Sequence, residues 1–299
     1  MAAAVRFDAV TKDYGAVRAL DELTLEIRAG EVYGLLGPNG AGKTTALRIL
    51  LGLLRPTSGR ATALGLDAWD EAVALHRRLG YVPGELGVWP GLTGRQILDL
   101  LGRVHGSVDV DYRDELVERF DFDPEKKGRS YSKGNRQKIA LIAGLATRAD
   151  LLVLDEPTSG LDPLMEATFQ DCLREAKANG QTVLLSSHIL AEVEAVCDRV
   201  GILRRGRLVD EGTLGELRHL AAHTVEATFE GEPPRLEDVD GVDDVQRADG
   251  RVRLRVQGST APLVRRLAEA EVTSLLVREP SLEELFLAYY GDEERDRGA

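Results

Sequence analysis

Nine residues, Gly37-Pro38-Asn39-Gly40-Ala41-Gly42-Lys43-Thr44-Thr45, constrain this chain more than any other stretch. They follow the apolar run Glu31-Val32-Tyr33-Gly34-Leu35-Leu36 and precede Ala46-Leu47-Arg48-Ile49-Leu50-Leu51. A glycine-rich loop between a strand-like and a helix-like run, with the spacing G-x-x-x-x-G-K-T, has the form of a phosphate-binding loop. Gly37, Gly40 and Gly42 allow turns that a Cβ would hinder, so backbone N–H groups can converge on an anion. The helix starting near Lys43 adds unpaired N–H groups and the positive end of its dipole. In such a loop Lys43 reaches the β- and γ-phosphates and the Thr44 hydroxyl binds magnesium. The ligand class is therefore a nucleoside triphosphate with magnesium. What its energy drives is not written in the loop.

Two carboxylates follow a second apolar run, Leu151-Leu152-Val153-Leu154-Asp155-Glu156. A continuous apolar run is the pattern of a buried parallel strand, and ligands of open α/β sheets bind beyond the carboxyl ends of strands. Asp155 is placed to hold magnesium through its water shell, and Glu156 to orient and polarise an attacking water. Thr182 to Ser186 reads as another such strand, followed by a helix over Ile189 to Cys197. Val5 to Val10 and Leu23 to Ile27 alternate as strands do, with Thr11 to Gly15 as the turn between them. Helices are expected over Asp70 to Leu79, through Thr93 to about Phe120, and over Gly134 to Ala146, with Gly80 to Pro83 as a short strand and turn. Val200 to Arg204 and Arg207 to Val209 close this part as short strands. The alternation of strands and helices implies an α/β layered core. Ser132 and Gly134, in Tyr131-Ser132-Lys133-Gly134-Asn135-Arg136-Gln137-Lys138, sit at a helix start, where a phosphate or an ordinary N-cap is accommodated.

Composition bounds the rest. A chain of 299 residues has room for two domains, and 43% hydrophobic with 29% charged content reads as globular. No run approaches the eighteen apolar residues of a membrane span. Met1 to Asp8 has neither the basic nor the apolar region of a secretion signal. The two cysteines, Cys172 and Cys197, give no disulfide framework or metal spacing; they fit a reducing cytosol and read as buried helix residues. A net charge of −12 argues against general nucleic-acid binding. Residues 221–299 hold 18 acidic and 10 basic residues and no lysine, so the composition shifts near residue 220. Beyond it, strands are expected over Thr224 to Phe229, Val252 to Val256 and Ser274 to Val277, with helices over Ala261 to Ala270 and Ser281 to Tyr290. The last helix opens on a capping box, Ser281 with Glu284. This is a small α+β unit, and 291–299 reads as a solvated acidic tail.

Over about residues 4 to 218 the chain resembles the ATP-binding subunits of ABC transporters, with five motifs in the family's order. They are the phosphate loop; Tyr131 to Gln137 for the signature, usually Leu-Ser-Gly-Gly-Gln; Asp155 and Glu156 for the magnesium-binding aspartate and catalytic glutamate; Ser159-Gly160-Leu161-Asp162 for the D-loop; and Ser186-Ser187-His188 for the switch. The resemblance implies a nucleotide-binding domain over 1–220 with a helical lobe at about 85–145, then an accessory domain over 221–290. It implies that Tyr14 stacks on adenine, that His188 contacts the γ-phosphate, and that Ser132, Gly134 and Asp162 serve nucleotide binding. Two positions depart from the pattern. Lys133 and Asn135 replace a glycine and the glutamine of the signature, and Gly84, after Tyr81-Val82-Pro83, stands where the family has a sensing glutamine, with Glu85 as its nearest substitute.

The resemblance also implies partners. Two nucleotide domains pair head to tail, each ATP lying between one phosphate loop and the other copy's signature, so an ATP-dependent homodimer is expected. Its closure would push on a separate integral-membrane permease, contacted by the helical lobe, at the cytoplasmic face of a bacterial plasma membrane. The end of the second part, Pro280-Ser281-Leu282-Glu283-Glu284-Leu285-Phe286-Leu287, is similar to that of drug and antibiotic exporters of the daunorubicin-resistance type. A soluble ATPase of the same family acting in translation or DNA repair is the competing expectation. Such proteins carry tandem nucleotide domains or long coiled coils, and this chain has one phosphate loop and no sustained heptads.

Overall fold

The computed structural model describes residues 3–219, 223–231, 233–248, 250–270 and 272–278. The chain divides into two compact units between Glu211 and Gly212. In chain order the first unit carries β1 (Ala3–Tyr14), β2 (Val17–Arg28), β3 (Val32–Leu36), α1 (Lys43–Leu50), β4 (Ser58–Ala63), β5 (Leu66–Asp67), α2 (Ala72–His76) and β6 (Leu79–Val82). It continues with α3 (Gly94–His105), α4 (Val110–Arg119), α5 (Lys133–Leu145), β7 (Leu151–Asp155), α6 (Pro163–Ala178), β8 (Thr182–Ser187), α7 (Leu190–Val196), β9 (Arg199–Arg204) and β10 (Arg207–Thr213). The second carries α8 (Leu214–His219), β11 (His223–Phe229), β12 (Val242–Ala248), β13 (Arg251–Val256), α9 (Ala261–Ala268) and β14 (Val272–Arg278).

Three sheets organise these elements: β2-β1-β4-β5, β10-β9-β3-β8-β7-β6, and β12-β13-β11-β14. Every residue of β3, β7 and β8 is buried, as the continuous apolar runs require of parallel strands covered on both faces. β6 pairs with β7, β7 with β8, β8 with β3 and β3 with β9, all in parallel. Buried side chains from β1, β2, α1 and β4 merge with Tyr33, Leu35, Val153 and Leu184 of the parallel sheet into one core. Phe7, Leu20, Ile27 and Leu47 are among its fully buried members. On β3 and β8 the layer is completed by α7, and α6 also packs on β8. The approach at β3 is close: a Cβ on Gly34 would lie 2.7 Å from Val193 Cγ1. The expected α/β layering is therefore present.

Several boundaries differ from the sequence reading. Thr11 to Tyr14 is strand, and the hairpin turns at Gly15–Ala16. Its polar, turn-like sequence is held extended by Thr57, whose N–H donates to Thr11 O at 2.8 Å and whose hydroxyl accepts from Asp13 N at 2.9 Å. The helix expected over Asp70 to Leu79 shrinks to the five residues of α2, because Leu79 enters β6. The long helical stretch from Thr93 divides at Gly106, which takes the left-handed C-cap of α3 at φ +86°. Helix α6, β4, β5, β12 and α8 were not anticipated. α6 had a readable start, with Asp162 as N-cap accepting from Leu164 and Met165 N and Pro163 in the first turn. The capping box at Ser281 and the tail at 291–299 lie outside the described residues.

The second unit has its own core of Val225, Ala227, Phe229, Leu236, Val252, Leu254, Val256, Leu263 and Leu267. The alternation of β13, exposed arginines against buried Val252, Leu254 and Val256, places these side chains on one sheet face. Both cysteines are free and buried, as expected, and burial pushes the Cys172 thiol up to about 11.

Helix α4 is tied to α6 by a polar cluster. Arg119 Nη1 donates to Glu175 Oε2 at 2.8 Å, Tyr112 OH reaches the same oxygen at 3.4 Å, and the Arg148 guanidinium lies 3.5 Å from the Tyr112 ring centre. The hydrogen bond from Arg119 holds the Glu175 carboxyl below its ordinary range. A carboxyl lowered by folding stabilises the protein above its unfolded-state pKa and ceases to do so as pH falls through its folded-state value. Glu175→Gln is thus expected to lower the thermal midpoint at neutral pH by an amount worth about 1 kcal/mol or less, since the pair is partly exposed. Melting curves of both proteins from neutral to acid pH should converge; a constant gap would show that the charge contributes nothing.

Candidate nucleotide site

The register of the parallel sheet brings four loops out side by side. Leu36 at the end of β3 pairs with Ser187 of β8. Asp155 at the end of β7 pairs with Ser186, and Val82 at the end of β6 pairs with Leu154. The phosphate loop, the Pro83–Gly84 segment, Asp155–Glu156 and Ser187–His188 thus leave the same edge of one sheet.

The loop geometry depends on its glycines. A Cβ on Gly37 would lie 2.6 Å from Leu203 O and 2.9 Å from Ala41 Cβ. Gly42 caps α1 in the left-handed region, φ +111°, with no side-chain cap, and a Cβ there would lie 2.6 Å from Ala19 O. The first N–H groups of α1 therefore have no side-chain acceptor at the cap, the arrangement that suits an anion. Gly206, which the sequence reading passed over, fastens this loop from outside. Its N–H donates to Ala41 O at 2.9 Å, and its carbonyl accepts from Asp21 N at 2.9 Å.

Lys43 is 5% exposed. Its Nζ donates to Gly37 O at 2.6 Å and Pro38 O at 3.3 Å and lies 3.8 Å from Glu156 Oε1. Burial pulls the ammonium below its ordinary pKa, while Glu156 and then Asp155 oppose that shift. Ser186 Oγ donates to Asp155 Oδ1 at 2.6 Å, and Thr44 Oγ1 approaches the same oxygen at 3.5 Å. His188 Nδ1 lies 3.2 Å from Glu156 Oε1. Glu156 has φ +46°, a strained position for a residue with a Cβ. Its N–H is anchored on Ser186 O at 3.1 Å.

The structure thus gathers Lys43, Thr44, Asp155, Glu156 and His188 into one cluster, together with Ser186. Such a cluster can take a polyanion at the loop, a hard cation at Thr44 and Asp155, and a water proton at Glu156. Among the described residues no group of three or more acidic, histidine or cysteine side chains is assembled to hold a metal. Two oxygen donors beside substrate phosphates are nevertheless the usual setting for magnesium.

The other predicted residues make contacts of their own. Tyr14 is at the tip of the β1–β2 hairpin, 47% exposed, with Lys12 Nζ 5.3 Å from its ring centre. Ser132 is the N-cap of α5 and accepts from Asn135 N at 3.3 Å. Gly134 lies directly against Gly160, where a Cβ would be 2.5 Å from the carbonyl oxygen. The Asp162 carboxylate is engaged as the cap of α6. A Cβ on Gly84 would lie 3.0 Å from Asp155 O, so that backbone rests on the carboxylate strand. Glu85 is exposed and has no hydrogen-bond or ion-pair partner among the described residues. Glu192 was missed: its carboxylate accepts from Thr158 Oγ1 at 2.5 Å and Ser187 Oγ at 2.7 Å. Its partner Thr158 is 34 residues away, so no local pattern announces the contact.

Comparison with known proteins gives the family. Residues 20–159 match the "ABC transporter" family model and residues 212–290 the "ATP-binding protein DrrA1-3-like, C-terminal domain". The daunorubicin resistance ATP-binding protein DrrA3 of Streptomyces coeruleorubidus is 38% identical over 99% of this chain and 98% of its own length. This chain is a member of the ABC transporter ATP-binding family. The daunorubicin/doxorubicin resistance ATP-binding protein DrrA of Streptomyces peucetius is 35% identical over 98% of this chain and 94% of that one. A solved ATP-binding subunit of an ABC transporter, 30% identical, covers 72% of this chain and 91% of its own with a TM-score of 0.67. The family's activity is ATP binding and hydrolysis, and this chain is an ATPase of that family.

Gly37→Ala should weaken ATP binding by about tenfold or more, because the new methyl must displace the backbone of Leu203 or Ala41. Calorimetric titration with ATP measures this, and an unchanged affinity would count against the cradle.

Proposed function

We propose that this protein hydrolyses magnesium–ATP as a homodimer to drive export of a drug, antibiotic or lipid-like substrate through a separate integral-membrane permease. The observation that carries the reading is the buried Lys43 beside the Asp155–Glu156 pair at the end of β7. The substrate class rests on the similarity to daunorubicin-resistance proteins along nearly the whole chain and on the DrrA-like second unit. No helix among the described residues is long and apolar enough to cross a membrane, which fits a transport pathway made by another polypeptide. The place of work is then the cytoplasmic face of the plasma membrane. Nothing favours a role in translation or DNA repair.

In this reading the first unit forms the nucleotide domain, with its helical lobe at about 85–145 facing the permease, and the second unit, through about residue 290, forms the accessory domain. The N–H groups of residues 37–45 and the Lys43 ammonium hold the β- and γ-phosphates. Tyr14 offers its exposed ring to adenine. Thr44 and Asp155 would hold magnesium, which supplies positive charge to the phosphate oxygens. Ser186 fixes Asp155 by donating to one carboxylate oxygen. Glu156 accepts a proton from the attacking water, and His188, at its carboxylate, reaches the γ-phosphate. Ser132 and Gly134 at the start of α5 contact the triphosphate held by the second copy. Asp162 acts by capping α6 and so fixing the end of the D-loop.

Glu156→Gln keeps the shape and removes the base. ATP should still bind, turnover should fall by about a hundredfold or more, and the dimer should persist with ATP in size-exclusion chromatography. Normal turnover would take Glu156 out of this role. Gly84→Gln tests the missing sensor: with the backbone already against Asp155, little gain in ATPase rate is expected. A large gain would show that the reaction lacks a side chain there.

A further inference from the structure

Residues 157 to 160, directly after Glu156, lie along the first turns of α5. Lys133 and Gln137 are four residues apart on that helix and so share a face. Lys133 Nζ donates to Ser159 Oγ at 2.7 Å. Gln137 Nε2 donates to Pro157 O at 3.0 Å and lies 3.5 Å from Pro83 O. Between them, Gly134 leaves no room for a side chain against Gly160 O. The Lys133 methylenes also pack on Gly160, with Cγ and Cδ 3.4 Å from the position of a Cβ there. The segment is therefore held at three successive points along one helix face. Gln137 is 2% exposed, and its amide has found acceptors on the two loops that flank the carboxylate pair.

This matters because Glu156 is in a left-handed conformation that its surroundings must impose. On one side its N–H is fixed to Ser186 O. On the other, the chain runs straight into the segment gripped by α5, with Ser159 N donating to Glu156 O at 3.2 Å. We propose that Lys133 and Gln137 are positioning residues that set the direction of the Glu156 carboxylate through Pro157 to Gly160. The inference rests on the reading of Glu156 as the base. Lys133 stands where the family pattern has glycine, so this chain carries a fastening which that pattern lacks. The same helix begins with Ser132, which the proposed dimer places on the other copy's triphosphate.

A surface lysine bond alone is worth little, and a buried glutamine can serve stability alone, so the test must separate these roles from positioning. Steady-state ATPase measurements on the full chain compare Lys133→Met, Lys133→Arg, Gln137→Met and Glu156→Gln. Losing one such hydrogen bond should lower kcat about fivefold in each methionine variant, with the KM for ATP unchanged. Lys133→Arg keeps a donor and should retain turnover. Normal kcat in both methionine variants, with Glu156→Gln inactive, overturns the positioning role and leaves the base assignment intact. Normal turnover of Glu156→Gln overturns the base assignment itself, and this inference with it. A raised KM at unchanged kcat in Lys133→Met would place that ammonium on nucleotide and also overturn the proposal. A Gln137→Met loss that only tracks the unfolded fraction in a melting curve overturns the role of Gln137. Lys133 is exposed, so its variants decide the proposal whatever happens to stability at 137.

Discussion

The parallel pairing of β3, β8 and β7 is the constraint on which the site depends. Leu36 is level with Ser187 and Asp155 with Ser186, so the groups that follow each strand emerge at one height. A slip of one residue moves a strand end by about 3.3 Å, enough to separate Asp155 from both Ser186 and Thr44. The strands resist such slips because both their faces are buried. Their side chains are committed to the core with the antiparallel sheet and α1 on one side and to α6 and α7 on the other.

Charge is distributed so that the site suits a polyanion. Lys43 is buried next to two carboxylates, and burial works against its ammonium form while those carboxylates support it. The glycine loop has no side-chain cap at the head of α1, so its N–H groups favour phosphate. Thr44 and Asp155 converge on one oxygen-rich point. Around this centre, further contacts hold the loops in place: Ser186 on Asp155, Glu192 between Thr158 and Ser187, and α5 along Pro157 to Gly160. The strained Glu156 backbone is thereby fixed from both sides.

Much of this was legible in the linear sequence for a local reason. The phosphate loop, the apolar strand ending in Asp155–Glu156 and the second strand ending at His188 each fit within about ten residues, and each obeys a short-range rule of turn, strand or cap. Readings failed where the deciding partner was remote. Thr11 to Tyr14 looked like a turn, yet Thr57 holds it extended. Asp70 to Leu79 looked helical, yet the sheet claims Leu79 through its pairing with Leu151. Helix α6 was overlooked although Asp162–Pro163 marks its start.

The sequence by itself determined the chemistry: a glycine cradle with Lys43 and Thr44, two carboxylates after a buried strand, and a histidine after another. Those depend on residue type and short spacing. The tertiary structure decided which of these groups meet. Ser186 reaches Asp155, His188 reaches Glu156, and Lys133 with Gln137 grips the segment beyond Glu156, each across twenty or more residues of chain. Such distances are set by how strands align and helices pack, and no local pattern encodes them.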